Sequence, residues 1–320
     1  ALVNITNGLR KLEVGMDIEA GAEINAGFGE SIDVGRDLLG DVTFTEPADK
    51  GTGVSVGRDL GGDVDINSDV DLEVGRDVLD SSTINVRRNL GGFDVAGIVS
   101  GDVIVDGFGD KWEVGGTNGA LFTVGFDLAS FKSNGDVIRT LVQAGLSAGD
   151  DGIFGATTGD KDQGEESRRG MIEDFEARDV TDSVIAAGGD FGGFSARTMT
   201  NSSASSGQSV GSFAAAAFVA DLSPLATTVE QNAARSGGDR RLTRGNFDSF
   251  DVVTMINSDA TAGVDAGPDG AFGTGDDTLL FQNPESPVID GGGRSTFGSV
   301  NVAGSDAASH ILDETGIDKP

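Results

Sequence analysis

The chain has 320 residues, with 53 Asp and Glu against 22 Lys and Arg, a formal charge of −31, 51 glycines, 6 prolines and no cysteine. So acidic a chain argues against nucleic acid, whose phosphates need a basic face, and against anionic membrane surfaces. Disulfide and thiolate chemistry are excluded, no apolar run approaches the roughly 18 residues of a membrane span, and glycine without a G-X-Y period excludes collagen.

From the first residues onward an apolar pair with one residue between its members returns about every ten positions. The pairs are Val3/Ile5, Leu12/Val14, Ala22/Ile24, Ile32/Val34, Val42/Phe44, Val54/Val56, Val64/Ile66, Leu72/Val74, Ile84/Val86, Phe93/Val95, Val103/Val105, Trp112/Val114 and Phe122/Val124. Alternation over three residues predicts very short strands with one buried face. The intervening Gly, Asp and Asn turn the chain at low steric cost. Strands too short to bury anything alone make sense only when stacked. The fold class expected is all-β: a parallel β-helix or β-solenoid.

Residues 1–130 form the regular block of this solenoid. Within it Val-Gly-(Arg/Met)-Asp recurs at Val14–Asp17, Val34–Asp37, Val56–Asp59 and Val74–Asp77, which implies a turn of about twenty residues carrying two or three strands. Parallel stacking would set Val, Ile and Leu in inward ladders and Arg36, Arg58 and Arg76 in an outward column beside Asp37, Asp59 and Asp77. Residues 131–320 read as a loop-decorated continuation. There Asp136–Gly145, Asp179–Gly188 and a segment from Val253 share a pattern, and Val300–Gly304 looks like a further core segment. Phe213–Asp221 suits a buried strand or a short helix equally.

One loop occurs twice. Ala144–Gly155 and Ala262–Gly273 share the frame A-G-x-x-A-G-x-D-G-x-F-G; the second runs on into Asp276 and Asp277, the first into Asp160 and Asp162. Counted from Asp265, the second has Asp269 and Gly270 at positions five and six of a twelve-residue calcium loop, with Asp276 at position twelve. Calcium takes six to eight oxygens from carboxylates, carbonyls and water, and a turn-making glycine. Asp265, Asp269, Asp276 and Asp277, with Asp150, Asp151, Asp160 and Asp162 in the first copy, are therefore the expected Ca²⁺ ligands. The competing reading is a Gly-Asp turn in which these carboxylates make Asx-turns and Phe154 and Phe272 pack back onto the core.

Catalysis is not expected. The sole histidine, His310, has no nucleophile motif around it, and Gly291–Gly293 lacks the phosphate-loop frame and its lysine. With no Tyr and with the single Trp112 at an inward position, the outer surface offers no evident platform for sugar rings.

The loop frame between strands such as Ser183-Val-Ile-Ala-Ala-Gly188 resembles large bacterial surface proteins with β-helical repeats, by motif over residues 136–310. The first block, with Gly40-Asp41-Val42, Gly62-Asp63-Val64 and Gly101-Asp102-Val103, resembles the bactofilins, bacterial β-helical proteins that polymerise end to end. The first resemblance implies a secreted or cell-surface scaffold, the second a filament subunit. The long acidic loops depart from bactofilins and argue against a cytoplasmic cytoskeletal role.

The apolar register begins at Val3/Ile5 with no amphipathic helix before it. Ala1 in place of Met fits removal of a signal peptide and a trimmed chain equally. Solenoid ends expose unpaired strand edges that repeat proteins normally cap, so open ends imply completion by a neighbour. The expectation is a structural subunit of an extracellular or cell-surface bacterial filament or layer, stabilised by Ca²⁺ and assembling with itself end to end. The alternatives are a carbohydrate-active or carbohydrate-binding β-helix with a surface polysaccharide as partner, and an adhesin module of a longer protein.

Overall fold

The computed structural model describes residues 2–5, 7–145, 170–187, 190–206, 210–219, 247–256, 259–262, 264–265, 278–279, 297–305 and 310–313. Its strands are β1 (Leu2–Ile5), β2 (Leu12–Val14), β3 (Glu23–Ala26), β4 (Ser31–Val34), β5 (Asp41–Phe44), β6 (Thr52–Val56), β7 (Val64–Ile66), β8 (Val70–Val74), β9 (Thr83–Val86) and β10 (Leu90–Val99). Then come β11 (Asp102–Val105), β12 (Gly109–Asn118), β13 (Leu121–Val124), β14 (Leu128–Ser133), β15 (Val137–Ile138), β16 (Leu141–Ala144), β17 (Ile172–Thr181), β18 (Val184–Ala187), β19 (Phe191–Thr200) and β20 (Ser203–Ser206). Last are β21 (Val210–Val219), β22 (Phe247–Ile256), β23 (Asp259–Ala262), β24 (Val264–Asp265), β25 (Thr278–Leu279), β26 (Phe297–Ser305) and β27 (His310–Asp313).

Two parallel sheets run along the stack. One has ten strands in the order β1-β3-β5-β7-β9-β11-β13-β16-β18-β20. The other has thirteen, in the order β2-β4-β6-β8-β10-β12-β14-β17-β19-β21-β22-β26, with β15 beside β12 and β17. Because the chain alternates between sheets, each strand pairs with its counterpart one turn away. The molecule is a parallel β-solenoid. Partner residues on adjacent turns lie 18 to 22 positions apart in the first block, and 42 to 44 apart where β14 and β15 meet the turn of β17.

A third face closes each turn. Single residues Ile18, Leu38, Leu60, Val78 and Val99 form a column of parallel bridges. The column continues through Thr117, Val137, Val180 and Met199, in β12, β15, β17 and β19. All nine are buried. In the Val-Gly-Arg-Asp repeat this is the residue after Asp, a single apolar position with no alternation to announce it.

The inward ladders are as the spacing predicts, with one shift: the strand pair in the second turn is Ile24/Ala26, and Ala22 sits at the corner before it. On the thirteen-stranded sheet Phe93, Trp112, Phe131, Phe175 and Phe194 occupy one column. Rings of Phe131, Phe175 and Phe194 stack parallel at 5.3 Å, and Phe122 from the facing sheet meets Phe131 edge-on at 5.1 Å. Each such side chain contributes about 1.5–3 kcal/mol on burial, all of it dependent on the turns above and below. Of the Phe213–Asp221 segment, the residues up to Val219 are strand, since β21 pairs in register with β19 and β22; Ala220 and Asp221 lie outside the described residues.

Glycine in the repeat has a steric cause. A Cβ on Gly35, Gly57 or Gly75 would overlap the carbonyl oxygen of Gly15, Gly35 or Gly57 one turn below. Farther along, a different corner is used. Arg139, Asp182 and Asn201 take left-handed φ of 48°, 50° and 47°, and each precedes a buried hydroxyl residue. Thr117 and Thr140 share a hydroxyl hydrogen bond of 2.7 Å. The Thr140 N–H donates to Ser183 Oγ and the Ser183 N–H to Ser202 Oγ, at 3.1 and 3.0 Å. The shared pattern of the later repeats is this hydroxyl column.

Candidate functional site

Three surface features are available to a partner: the edge of the first turn, an ionic column along one corner, and an exposed aromatic pair on another. At the first turn β1 and β2 each have one strand neighbour among the described residues, β3 and β4. Leu2 is 62% and Val3 45% exposed, whereas the residues stacked above Val3, Ile24 and Val42, are buried. Ile5, Leu9, Leu12 and Val14 are half-covered, packed on the core from one side. Among the described residues the edge therefore carries the inward columns of the solenoid with nothing packed on its outer side.

The ionic column has the geometry that the Val-Gly-Arg-Asp repeat predicts. The N–H of Asp37 donates to Asp17 Oδ1 and that of Asp59 to Asp37 Oδ1, both at 3.2 Å; Asp77 repeats this on Asp59 at 3.4 Å. Arg36 lies 3.3 Å from Asp17 and 3.7 Å from Asp37; Arg58 lies 3.5 Å from Asp37 and 3.8 Å from Asp59. Arg76 caps Asp59 through two nitrogens. Asp37 and Asp59 are thus each held by a backbone donor and two guanidinium groups, and Asp17 and Asp77 at the ends by a backbone donor and one, so the stacked carboxylates are separated by guanidinium groups. Glycines occupy the column at Gly97, Gly115 and Gly135, after which it resumes. Arg178 binds Asp136 bidentately at 2.8 and 2.9 Å, and Arg197 binds Asp179.

The Arg197 hydrogen bonds hold the Asp179 carboxyl below its usual 3.8, with Thr198 adding a further donor. A folded-state pKa below the unfolded one gives stability that is present above the unfolded value and lost as pH falls through the folded one. Asp179→Asn is therefore expected to be less stable at neutral pH and to lose less on acidification from about pH 5 to pH 3. Thermal unfolding of both forms across that range checks it; parallel curves would contradict it.

Of the expected Ca²⁺ ligands, Asp265 is on β24, whose backbone pairs antiparallel with β25, Asp265 facing Thr278. This pairing brings together the two ends of the second Gly-Asp loop. Asp269, Asp276 and Asp277 lie outside the described residues, as do Asp150, Asp151, Asp160 and Asp162. Among the described residues no group of three or more His, Asp or Glu side chains is placed to hold a metal ion. His310 begins β27, opposite Asp259 of β23.

The aromatic pair is a surface feature that the sequence reading passed over. Phe108 is 48% exposed and stacks on Phe126 at 4.9 Å with 19° between the rings. Both residues fall outside the apolar-pair register, each directly after a glycine, and that parity is the signal that could have found them. No helix among the described residues is long and apolar enough to cross a membrane. No protein-family model matches the chain, and neither a curated protein nor a solved structure was found to match it.

Proposed function

We propose that the chain is a structural subunit of an extracellular filament or surface layer of bacterial type, extended by stacking the first turn of one copy on the last turn of another. The observation that supports this most is the edge at β1 and β2, whose outer side no described residue covers. The far edge fits it by register: Val300 and Val302 of β26 continue the columns that Leu12 and Val14 begin. A contact between different ends of identical copies is heterologous and propagates rather than closing. Ca²⁺ held by the Gly-Asp loops would stiffen the later turns; a site of millimolar affinity gains about 0.4 kcal/mol at equal Ca²⁺ concentration by mass action, enough to bias a loop.

Val3→Lys places an ammonium group on the open edge, where a strand addition would have to bury it. Sedimentation velocity with millimolar Ca²⁺ is expected to show wild-type species that grow with concentration and a Val3→Lys chain that stays monomeric. A wild-type chain that is monomeric throughout would overturn the proposal and favour an adhesin module, in which adjoining repeats of the same polypeptide cover the edge.

A further inference from the structure

The outer face of the ten-stranded sheet changes character along the stack. In one outward column Glu23, Asp41 and Asp63 on the early turns give way to Leu121, Leu141 and Val184. In the other, Asp65 and Asn85 give way to Ile104 and, beyond Thr123 and Gln143, to Ala186. Apolar side chains on the outside of a solenoid need a cover, or they form a patch that invites association.

Burial points to such a cover. Gln143 is 1% and Ala186 7% exposed, although both point outward: Val142 and Ala144, Ile185 and Ala187 hold the inward places beside them. On the same column Thr43, Asp65 and Asn85 are only half-buried. The Gln143 side chain lies along the sheet, its Nε2 donating to Thr123 Oγ1 at 2.8 Å, and neighbours within a sheet do not close off its outer side. No described strand lies over this face. The burial is that of a single chain, so a second copy is not its source. A patch four turns tall also falls far short of the ~800 Å² that each partner of a stable interface buries.

Residues 146–169 are placed to supply the cover. They lie outside the described residues and join β16 to β17 at the corner next to Gln143. The two ends of the segment meet there. A Cβ on Gly170 would fall 2.2 Å from the Gly145 nitrogen and 2.4 Å from the Phe126 carbonyl oxygen, and Gly145 takes a left-handed φ of 67°. Stacking continues across the junction: Gly145 N–H donates to the Val124 carbonyl and Leu128 N–H to the Met171 carbonyl, both at 2.8 Å. The segment is thus an addition at one corner, and a chain of its length, running out and back, reaches roughly 40 Å, well beyond the far end of a four-residue strand. Its large apolar residues are Leu146, Ile153 and Phe154. Six acids against three bases repel it from the acidic early turns, and the first apolar outward position of the second column, Ile104, comes two turns before the junction. Phe108, two turns below on the junction's own corner, is 48% exposed, so the cover lies over the sheet and not along the corner.

We infer that residues 146–169 dock on the outer face of β13, β16 and β18, with Leu146, Ile153 and Phe154 against Leu121, Leu141 and Val184. The docking closes the apolar patch and fixes the first Gly-Asp loop, with Asp150, Asp151, Asp160 and Asp162, to the flank of the solenoid. That flank is separate from the edge at β1 and β2, so the docked segment leaves stacking at that edge unhindered.

Cysteine labelling tests this in the intact chain, which has no cysteine of its own. Gln143→Cys and Asn85→Cys lie on one outward column, and each native rate with a maleimide is referred to the rate of the same variant in denaturant. Gln143→Cys is expected to react about tenfold or more slowly than Asn85→Cys. The protection should vanish when residues 147–168 are replaced by a short Gly-Ser link, which the adjacent ends permit. It should vanish equally in Gln143→Cys/Ile153→Asp/Phe154→Asp, which keeps the full length. A cooperative unfolding transition in each variant shows that the solenoid is folded, and either of the two changes reads the docking if the other does not fold. Equal rates at the two positions would overturn the inference. So would protection that survives both changes, which would assign the cover to another segment, or protection seen only at high protein concentration, which would assign it to a second copy.

Discussion

Replacement of Trp112 by alanine is expected to cost about 3–5 kcal/mol, a very large effect for a surface-neutral change in a solenoid. The indole is fully buried, packs edge-on to Phe93 at 5.7 Å and against Phe122 at 6.0 Å, and its Nε1–H donates to the Leu90 carbonyl at 3.1 Å. Truncation leaves a cavity in the aromatic column and removes the indole hydrogen bond to Leu90. Stability in a stacked array is close to a sum of turn and neighbour terms, so the damage should also weaken the coupling between the turns on either side. Denaturant unfolding should show a lower midpoint and a broader or split transition, while Trp112→Phe should recover most of the loss. An alanine variant within about 1 kcal/mol of wild type would mean that the column relaxes to fill the space.

Gly57→Ala is the second large effect, at roughly 3 kcal/mol. One methyl group would be driven into the carbonyl oxygen of Gly35, and the backbone of the turn would have to shift to admit it. The shift would pull on the Gly57 N–H bond to Val34 and on the Arg58 N–H bond to Arg36, both 2.8 Å. Gly53→Ala is the internal control: a Cβ there has nothing within 4 Å, and a change within about 0.5 kcal/mol is expected. Equal midpoints for the two variants, by thermal or denaturant unfolding, would remove the steric explanation of the Val-Gly-Arg-Asp repeat.

Much of the fold is legible because period-two alternation is visible even in three residues. Val64-Asp65-Ile66 and Ile84-Asn85-Val86 announce an inward pair and an outward polar residue, and they stack in that register. The third face was legible only in part, since Leu38, Leu60 and Val78 contribute one inward residue each, and one residue has no period. The hydroxyl corner was hidden for another reason. Arg139, Asp182 and Asn201 share a backbone conformation and not a residue type, so the repeat is visible in φ and in hydrogen bonds before it is visible in letters. The second turn was displaced by two residues because Ala22, Ile24 and Ala26 are all apolar and alternate equally well.

Surface function is less legible for a physical reason. Ion pairing depends on which side chains share a corner, and turn lengths of 18 to 22 residues shift that alignment from one turn to the next. Arg36 and Asp37 could be placed because the Val-Gly-Arg-Asp repeat fixes them in phase. Lys50 and Arg88 have no shared motif, and only the register, through Ser68 on the turn between them, puts them on one column. Phe108 and Phe126 looked like two of 18 phenylalanines until their neighbours were known. The Gly-Asp loops carry a ligand-rich sequence, and of their expected ligands only Asp265 has a described place, on a backbone pair that closes the second loop.

End-to-end stacking is tested most directly by negative-stain electron microscopy of the purified chain, first with millimolar Ca²⁺ and then with excess chelator. Filaments or sheets whose long axis follows the solenoid, and which fray when Ca²⁺ is removed, are the predicted result. Filaments indifferent to chelator would retain the stacking and reduce the Gly-Asp loops to turns. Dispersed single rods in both conditions would contradict self-assembly and leave the open edge to a different partner.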